Sequence, residues 1–322
     1  MNLKTALATV LLAALAAAPA RAQQYPSRPV TIVVPFAAGG GSDLLARLVA
    51  QKLEEKLGKP VVIENRPGAA TTLAAMQVVR SAPDGTTLMQ ATSSTMAINV
   101  SMSKKMPYEP LKDLVPVALL SSSPFFLVVN NDSPVKTVAD LIALAKAKPN
   151  GLNYGSGGPG SMHHLSTELL QSLAGIQMTH VPYKATPPAM NDLMAGHIQV
   201  LFGDTTSTLP FIKQGTVRAL AVTTAKRSPA ASDVPAVAET VPGFESASWQ
   251  MLVAPGATPP DVIALLNREV HAIFSNPAVI GELERRGVGP ALTGNPAEVQ
   301  DFVKQEIVRW SDVVRRAGLE GS

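Results

Sequence analysis

Two glycine-rich turns are the segments of this sequence best suited to chemistry. The first occupies residues 36–43 and the second residues 156–164; each begins at the end of a predicted strand and contains residues that can cap a helix. Glycine lets the backbone approach a ligand closely, and the first N–H groups of a helix lack partners within the helix and carry partial positive charge. Each turn therefore predicts a half-site for a carboxylate or phosphate, with Ser42, Ser156 and Ser161 as additional hydroxyl donors.

Neither turn matches a nucleotide-binding motif. No Gly-Lys-Ser/Thr follows either one, and the run Gly39-Gly40-Gly41 lacks the spaced third glycine of a dinucleotide turn. A glycine at a strand-to-helix junction can also serve only to turn the chain tightly. Two such turns, one in each half of the chain, favour a ligand.

A secreted hydrolase that uses Ser161, His164 and Asp204 stays open as an alternative from the residues alone. The sequence has no G-x-S-x-G elbow and no H-E-x-x-H metal motif. His163 and His164 are neighbours, so on a helix they point about 100° apart and cannot share one metal ion. We therefore expect no metal and no cofactor.

The apolar patterns predict two α/β units that position these turns. Strands are predicted at 28–36, 60–65 and 86–91, with helices after the first two, and this alternation predicts a parallel sheet with helices on both faces. The pattern restarts with further strands at 124–130, 152–156, 178–183, 199–204, 217–224 and 249–254, a helix at 137–148, and mostly helix over 259–317. Two units predict two lobes with a ligand cleft between them, and both turns lie where ligands of such sheets bind.

The composition excludes several classes of protein. The 322 residues are 46% hydrophobic and only 16% charged, which excludes a disordered chain and a coiled coil. There is no cysteine, which excludes disulfides, iron–sulfur clusters and thiol catalysis. Lys4 and Arg21 supply two units of the net charge of +3, so the remaining chain gives no reason to expect a nucleic-acid partner.

The first 22 residues match an export signal. Lys4 precedes a short apolar run over 6–18, and Ala20-Arg21-Ala22 is an A-x-A cleavage site. We expect a signal peptide over 1–22 that is removed after Ala22, and a mature protein in the periplasm; an uncleaved anchor is the alternative. No later stretch predicts a membrane helix.

Short motifs along the whole mature chain resemble the Bug receptors, the extracytoplasmic solute-binding proteins of tripartite tricarboxylate transporters. Singly these motifs are weak, but their order is specific. They are Tyr25-Pro26-Ser27-Arg28-Pro29, Val33-Val34-Pro35-Phe36-x-x-Gly39-Gly40-x-x-Asp43, Glu64-Asn65-Arg66-Pro67-Gly68-Ala69, Ala82-Pro83-Asp84-Gly85, Asn153-Tyr154-Gly155-Ser156, Gly160-Ser161-x-x-His164-Leu165, Val181-Pro182-Tyr183-Lys184, Pro188-Ala189-x-x-Asp192-Leu193-x-x-Gly196, Ala254-Pro255-Gly256-x-Thr258-Pro259, and Trp310 with Ala317-Gly318.

The resemblance implies a periplasmic binding protein of type II, with lobe I over 23–123 plus 249–322 and lobe II over 124–248. It implies a monomeric receptor, not an enzyme, that closes on a small carboxylate and delivers it to a membrane permease; a sensor subunit that presents its ligand fits the same fold. In the family the two loops hold the carboxylate largely through backbone groups and ordered water. Two departures are Ala37-Ala38, where the family often has proline, and Ala185, where it usually has glycine.

The predicted ligand site combines both turns with residues at the ends of neighbouring strands. Its members are Phe36, Ala37, Ala38, Gly39, Gly40, Ser42, Asp43, Thr92, Ser93, Ser156, Gly157, Ser161, His164, Tyr183 and Asp204. No pair of arginines marks a dicarboxylate clamp, so the sequence does not specify which carboxylate is bound.

Overall fold

The computed structural model describes residues 25–39, 41–183, 186–227, 231–285, 288 and 294–321, so the predicted signal peptide and Ala185 lie outside the described residues. Within those residues the strands are β1 (Val30–Val34), β2 (Val61–Asn65), β3 (Thr87–Thr92), β4 (Leu114–Asn130), β5 (Asn153–Ser156), β6 (Thr179–Pro182), β7 (Val200–Asp204), β8 (Val217–Val222) and β9 (Ala247–Pro255). The α-helices are α1 (Gly41–Leu57), α2 (Thr72–Val79), α3 (Asn99–Met102), α4 (Pro110–Asp113), α5 (Val138–Ala147), α6 (Met162–Ala174), α7 (Thr186–Met194), α8 (Thr205–Lys213), α9 (Pro260–Phe274), α10 (Pro277–Arg285) and α11 (Pro296–Arg316). None of the helices in these ranges is long and apolar enough to cross a bilayer.

The strands form two sheets with the same order of neighbours. The first, which with its helices forms lobe I, has the order β2-β1-β3-β9-β4, and the second, in lobe II, has the order β6-β5-β7-β4-β8. In each sheet three strands are parallel, and the strand in the fourth position runs antiparallel to them. The predicted α/β class and the two lobes are confirmed, but the sheets are mixed rather than purely parallel.

One long strand joins the two sheets. Strand β4 pairs with β9 over 114–124 and with β7 and β8 over 125–130. The predicted strand at 124–130 was therefore too short. Its first part was missed because Ser121-Ser122-Ser123-Pro124 has the composition of a turn, whereas Pro124 still pairs with Ala247 in the sheet.

The chain crosses between the lobes twice, and one threonine contacts both crossings. The Thr223 hydroxyl accepts a hydrogen bond from the Phe125 N–H (2.8 Å), and the Thr223 N–H donates to the Phe125 carbonyl (3.0 Å). The Thr223 carbonyl accepts from the Ser246 N–H at 2.8 Å, just before β9. All three residues are buried, so these bonds fix the two crossing segments to each other away from water.

The buried apolar residues form one cluster shared by both lobes and one cluster confined to each lobe. The shared cluster extends from Val33 of β1 to Phe202 of β7 and includes Trp249 and Trp310. The two indole N–H groups both donate to the buried Glu306 carboxylate, at 2.6 and 2.8 Å. The lobes are therefore packed on a common core at the crossing.

Replacing Thr223 by valine should lower the free energy of unfolding by about 1–3 kcal/mol, because the buried Phe125 N–H loses its acceptor while the side-chain volume is kept. Thr216→Val is the matched control, since Thr216 is exposed and its hydroxyl bonds only to the Phe211 carbonyl. Urea denaturation of both variants measures the effect. Equal stabilities of the two variants would contradict the role of Thr223.

Candidate functional site

Loop 1, residues 36–39 after β1, is held in place by two side chains. The Asp43 carboxylate, only 2% exposed in the first turn of α1, accepts from the Gly39 N–H and from Asn65 Nδ2, both at 2.9 Å. Asn65 Nδ2 also donates to the Phe36 carbonyl at 2.9 Å. Asn65 ends β2, which lies beside β1, so the neighbouring strand holds Phe36 directly and Gly39 through Asp43.

The buried charge of Asp43 is balanced by Arg47, whose side chain is half exposed. Arg47 donates Nε and Nη2 to the two carboxylate oxygens at 2.9 and 3.1 Å. These bonds, together with those from Gly39 and Asn65, lower the pKa of Asp43 from 3.8 to about 2. Since its oxygens already have donors, Asp43 supports loop 1 from beneath rather than offering a free group to a ligand.

The other predicted residues of the first turn lie closer to the surface than Asp43. Phe36, Ala37, Ala38 and Gly39 are exposed, and Ser42 is half-buried. Gly39 adopts a left-handed conformation (φ 87°), which glycine tolerates without strain. Gly40 lies outside the described residues. Loop 1 therefore presents its backbone and small side chains to solvent at the carboxyl end of β1.

Loop 2, residues 157–160 between β5 and α6, uses several of its own N–H groups internally. The Gly158 N–H donates to Ser156 Oγ (3.0 Å), and the Gly160 N–H donates to His164 Nδ1 (3.1 Å). The Ser161 N–H donates to the Gly158 carbonyl, and Ser161 Oγ caps α6 by accepting from the His164 N–H (3.3 Å). These bonds fix the shape of the loop.

Three N–H groups around loop 2 remain without a hydrogen-bond partner among the described residues. They belong to Gly157, which follows β5, and to Met162 and His163, the first two residues of α6. The start of a helix is positive, so these donors are suited to a carboxylate oxygen. Sequence reasoning predicted the turn, but not which of its amides are left free.

The residues of the hydrolase alternative do not form a triad in this structure. Ser161 Oγ contacts the backbone N–H of His164, not its ring, and donates to the Gly158 carbonyl at 2.7 Å. The Asp204 carboxylate accepts from the Ser207 N–H at 2.8 Å and caps α8. Asp204 is therefore engaged at its own helix start. Among the described residues no group of His, Asp and Glu could hold a metal ion.

The other predicted site residues lie at strand ends. Thr92 ends β3 next to the buried Ser93, and its hydroxyl lies 3.3 Å from that of Thr95. The Tyr183 N–H donates to the Ser156 carbonyl (2.9 Å), and its hydroxyl donates to Asp192 at 2.6 Å. Burial and the Asp192 carboxylate raise the pKa of Tyr183 to about 12.

Loop 2 contacts lobe I through a residue that sequence reasoning missed. A Cβ at Gly160 (φ 72°) would lie 2.7 Å from the sulfur of Met102, which ends α3. The left-handed backbone at this position favours glycine, and a side chain there would displace the Met102 thioether. Because 58 residues separate the two positions in the sequence, only the fold reveals the contact.

Replacing Asp43 by asparagine should lower the free energy of unfolding at pH 7 by about 1–3 kcal/mol, because an amide N–H₂ would then face donors and Arg47 would lose its partner. The contribution of Asp43 is fully present above pH 3.8 and is lost as the pH falls through about 2, so the gap between the two proteins should close in acid. Chemical denaturation at several pH values checks this. Asp301→Asn, which breaks an exposed pair with Lys304, should change little; an equally large loss there would contradict the assignment.

Comparison with known proteins places this geometry in a family. Residues 45–319 match the family model described as tripartite tricarboxylate transporter family receptor. The chain is 36% identical to protein BugT of Bordetella pertussis, over 99% of both chains. It is similar to the R. palustris protein Rpa4515 with adipate (40% identity, TM-score 0.80, covering 91% of this chain and 98% of that one). It is also similar to MatC from Rhodopseudomonas palustris with bound malate (35% identity, TM-score 0.77, covering 90% and 100%). The chain therefore belongs to the family of tripartite tricarboxylate transporter receptors.

Proposed function

We propose that this receptor captures a small carboxylate between loop 1 and loop 2 and delivers it to the membrane permease of a tripartite tricarboxylate transporter. The observation that carries the proposal is the set of unused N–H groups at Gly157, Met162 and His163, at the end of β5 and the start of α6. The related structures with adipate and malate support a carboxylate as the ligand.

The proposed site combines the predicted residues of both lobes, with lobe I over 23–123 plus 249–322 and lobe II over 124–248; among them Asp43, His164 and Asp204 already bind protein groups and support the site rather than contact the ligand. The carboxylate is held mainly by backbone donors. The two arginines near loop 1 already have partners, since Arg47 pairs with Asp43 (2.9 Å) and Arg66 pairs with Glu64 (2.8 Å). Lys184 lies outside the described residues. The receptor acts as a monomer and returns its ligand chemically unchanged.

A thermal-shift and calorimetry panel of adipate, malate, citrate and benzoate tests the proposal. A ligand present at a hundred times its dissociation constant should stabilise the folded protein by about 2.7 kcal/mol. Mass spectrometry of the recovered ligand should show no chemical change. A product whose formation stops in Ser161→Ala would favour a hydrolase, and the absence of binding across the panel would contradict a receptor for such small carboxylates.

A pair of variants at Met162 tests the backbone donors within the same experiment. Proline is tolerated as the first helical residue, and Ser161 before it already has the extended backbone (φ −66°, ψ 154°) that proline requires of its predecessor. Met162→Pro removes the free N–H, whereas Met162→Ala removes the same buried side chain and keeps the N–H. We expect the proline variant to bind the carboxylate about tenfold more weakly than the alanine variant, as for the loss of one hydrogen bond to an anion. Equal affinities would exclude this N–H as a ligand donor.

We further propose that the receptor is exported and cleaved after Ala22, as its A-x-A sequence indicates. Intact-mass analysis of the protein purified from its native periplasm should give a chain that begins at Gln23. A mass that includes residues 1–22 would show that the segment is retained as an anchor.

A further inference from the structure

Three aromatic rings are stacked beneath loop 2. The Tyr154 ring of β5 lies 5.0 Å from the His180 ring of β6, and the His180 ring lies 4.0 Å from the His164 ring of α6, with the two imidazoles only 7° from parallel. Tyr154 and His164 are buried, with 0% and 4% of their surface exposed. The stacked rings therefore lie beneath loop 2, and two of the three are shielded from water.

Both imidazoles are connected to the amides of loop 2. His164 Nδ1 accepts the Gly160 N–H at 3.1 Å, so this nitrogen carries no proton. The ring proton is then on Nε2, which faces a Glu168 carboxylate oxygen at 3.7 Å. His180 Nε2 lies 2.6 Å from Ser156 Oγ, the same oxygen that accepts the Gly158 N–H.

We propose that His164 and His180 are positioning residues that hold loop 2 in its ligand-binding shape, and that they do so only as neutral imidazoles. The inference rests on the proposed function, because it explains how the free donors at Gly157, Met162 and His163 are kept in place. His164 accepts the Gly160 N–H directly. His180 contacts Ser156 Oγ, which accepts the Gly158 N–H. The ligand then meets only the donors that remain.

Protonation would break this arrangement at two points. A proton on His164 Nδ1 would face the Gly160 N–H, so two donors would meet and the hydrogen bond would be lost. Protonation of His180 as well would place two positive rings 4.0 Å apart, one of them buried and the other half-buried. The neutral form is therefore the one that fits the loop.

The groups around the stack come from four elements. They are Tyr154 on β5, His180 on β6, Glu168 on α6, and Arg316 on α11, which lines the same groove as Glu168. The Tyr154 hydroxyl and Gln171 both donate to Glu168, at 2.5 and 2.7 Å. Burial lowers the pKa of His164 from 6.5 to about 4 and also lowers that of His180, while burial raises the pKa of Glu168.

The sign of the pH effect follows from these shifts. Between pH 6.5 and about 4 the unfolded chain binds a proton at His164 that the folded protein does not bind. The stability from the neutral ring is therefore complete above pH 6.5 and decreases as the pH falls toward 4. Ligand affinity should follow the folded pKa and drop only as the pH approaches 4.

Nitrogen-15 NMR of the histidine side chains tests the inference without any ligand. His164 Nδ1 should show the chemical shift of an unprotonated acceptor nitrogen, coupled across the hydrogen bond to the Gly160 N–H, from about pH 8 to pH 5. A proton on His164 Nδ1 at pH 7 would overturn the proposal. This result stands whether or not the carboxylate panel finds a ligand, so it separates failure of this inference from failure of the proposed function.

Calorimetry with adipate at pH 7 tests the consequence for binding. His164→Ala should bind adipate about tenfold more weakly than the wild type, because Gly160 loses its acceptor. His164→Asn should recover most of the affinity, since its amide oxygen can accept near the position of Nδ1, and its affinity should fall less in acid. His271→Ala, which removes an exposed histidine on α9, should match the wild type. Wild-type affinity in His164→Ala, or an alanine loss that asparagine does not rescue, would overturn the positioning role.

Discussion

Backbone N–H groups can bind an anion only where the protein has left them without partners of its own. Every buried N–H that finds no acceptor costs free energy, so a folded loop tends to consume its own donors. In loop 2, side chains determine which N–H groups are used in this way. Ser156 and His164 take the amides of Gly158 and Gly160, and the amides at Gly157 and the start of α6 stay free. The donors for a carboxylate are thus defined by which amides the fold has already used.

Strand β4 and the segment before β9 join the two lobes, and this connection sets where loop 1 and loop 2 lie relative to each other. Each sheet has the same strand order, so loop 1 after β1 and loop 2 after β5 occupy equivalent positions in their lobes. The core that both lobes share at Trp249 and Trp310 limits how the lobes can move, because any displacement must keep that core packed. The contact between Gly160 and Met102 shows that loop 2 is seated against lobe I in this conformation.

Local patterns in the sequence were enough to predict the turns and the elements around them. Ser161 is the cap of α6, and β1 and β5 lie within the strands predicted at 28–36 and 152–156, because local patterning and capping depend on residues close in sequence. The functions of single side chains depend on partners far along the chain. Asn65 meets the Phe36 carbonyl across 29 residues, and His180 meets Ser156 across 24, so neither contact had a sequence signal. The first part of β4 was missed for a related reason, since its three serines are fixed by pairing with β9 rather than by their own preference.

The two loops are supported by opposite electrostatic means. Asp43 beneath loop 1 is ionised and is balanced by Arg47, so this half of the site gains little net charge from its support. The support of loop 2 depends on neutral rings, which add no charge near the free donors. In the proposed site, a carboxylate between the loops would therefore meet directed hydrogen bonds rather than a strong positive field. Such a site discriminates by the position of each oxygen, because a misplaced anion would gain little from long-range attraction. Under this proposal, selectivity among carboxylates would follow from the distance between loop 1 and loop 2 and from the exposed surface of Phe36, Ala37 and Ala38, which the rest of the ligand would contact.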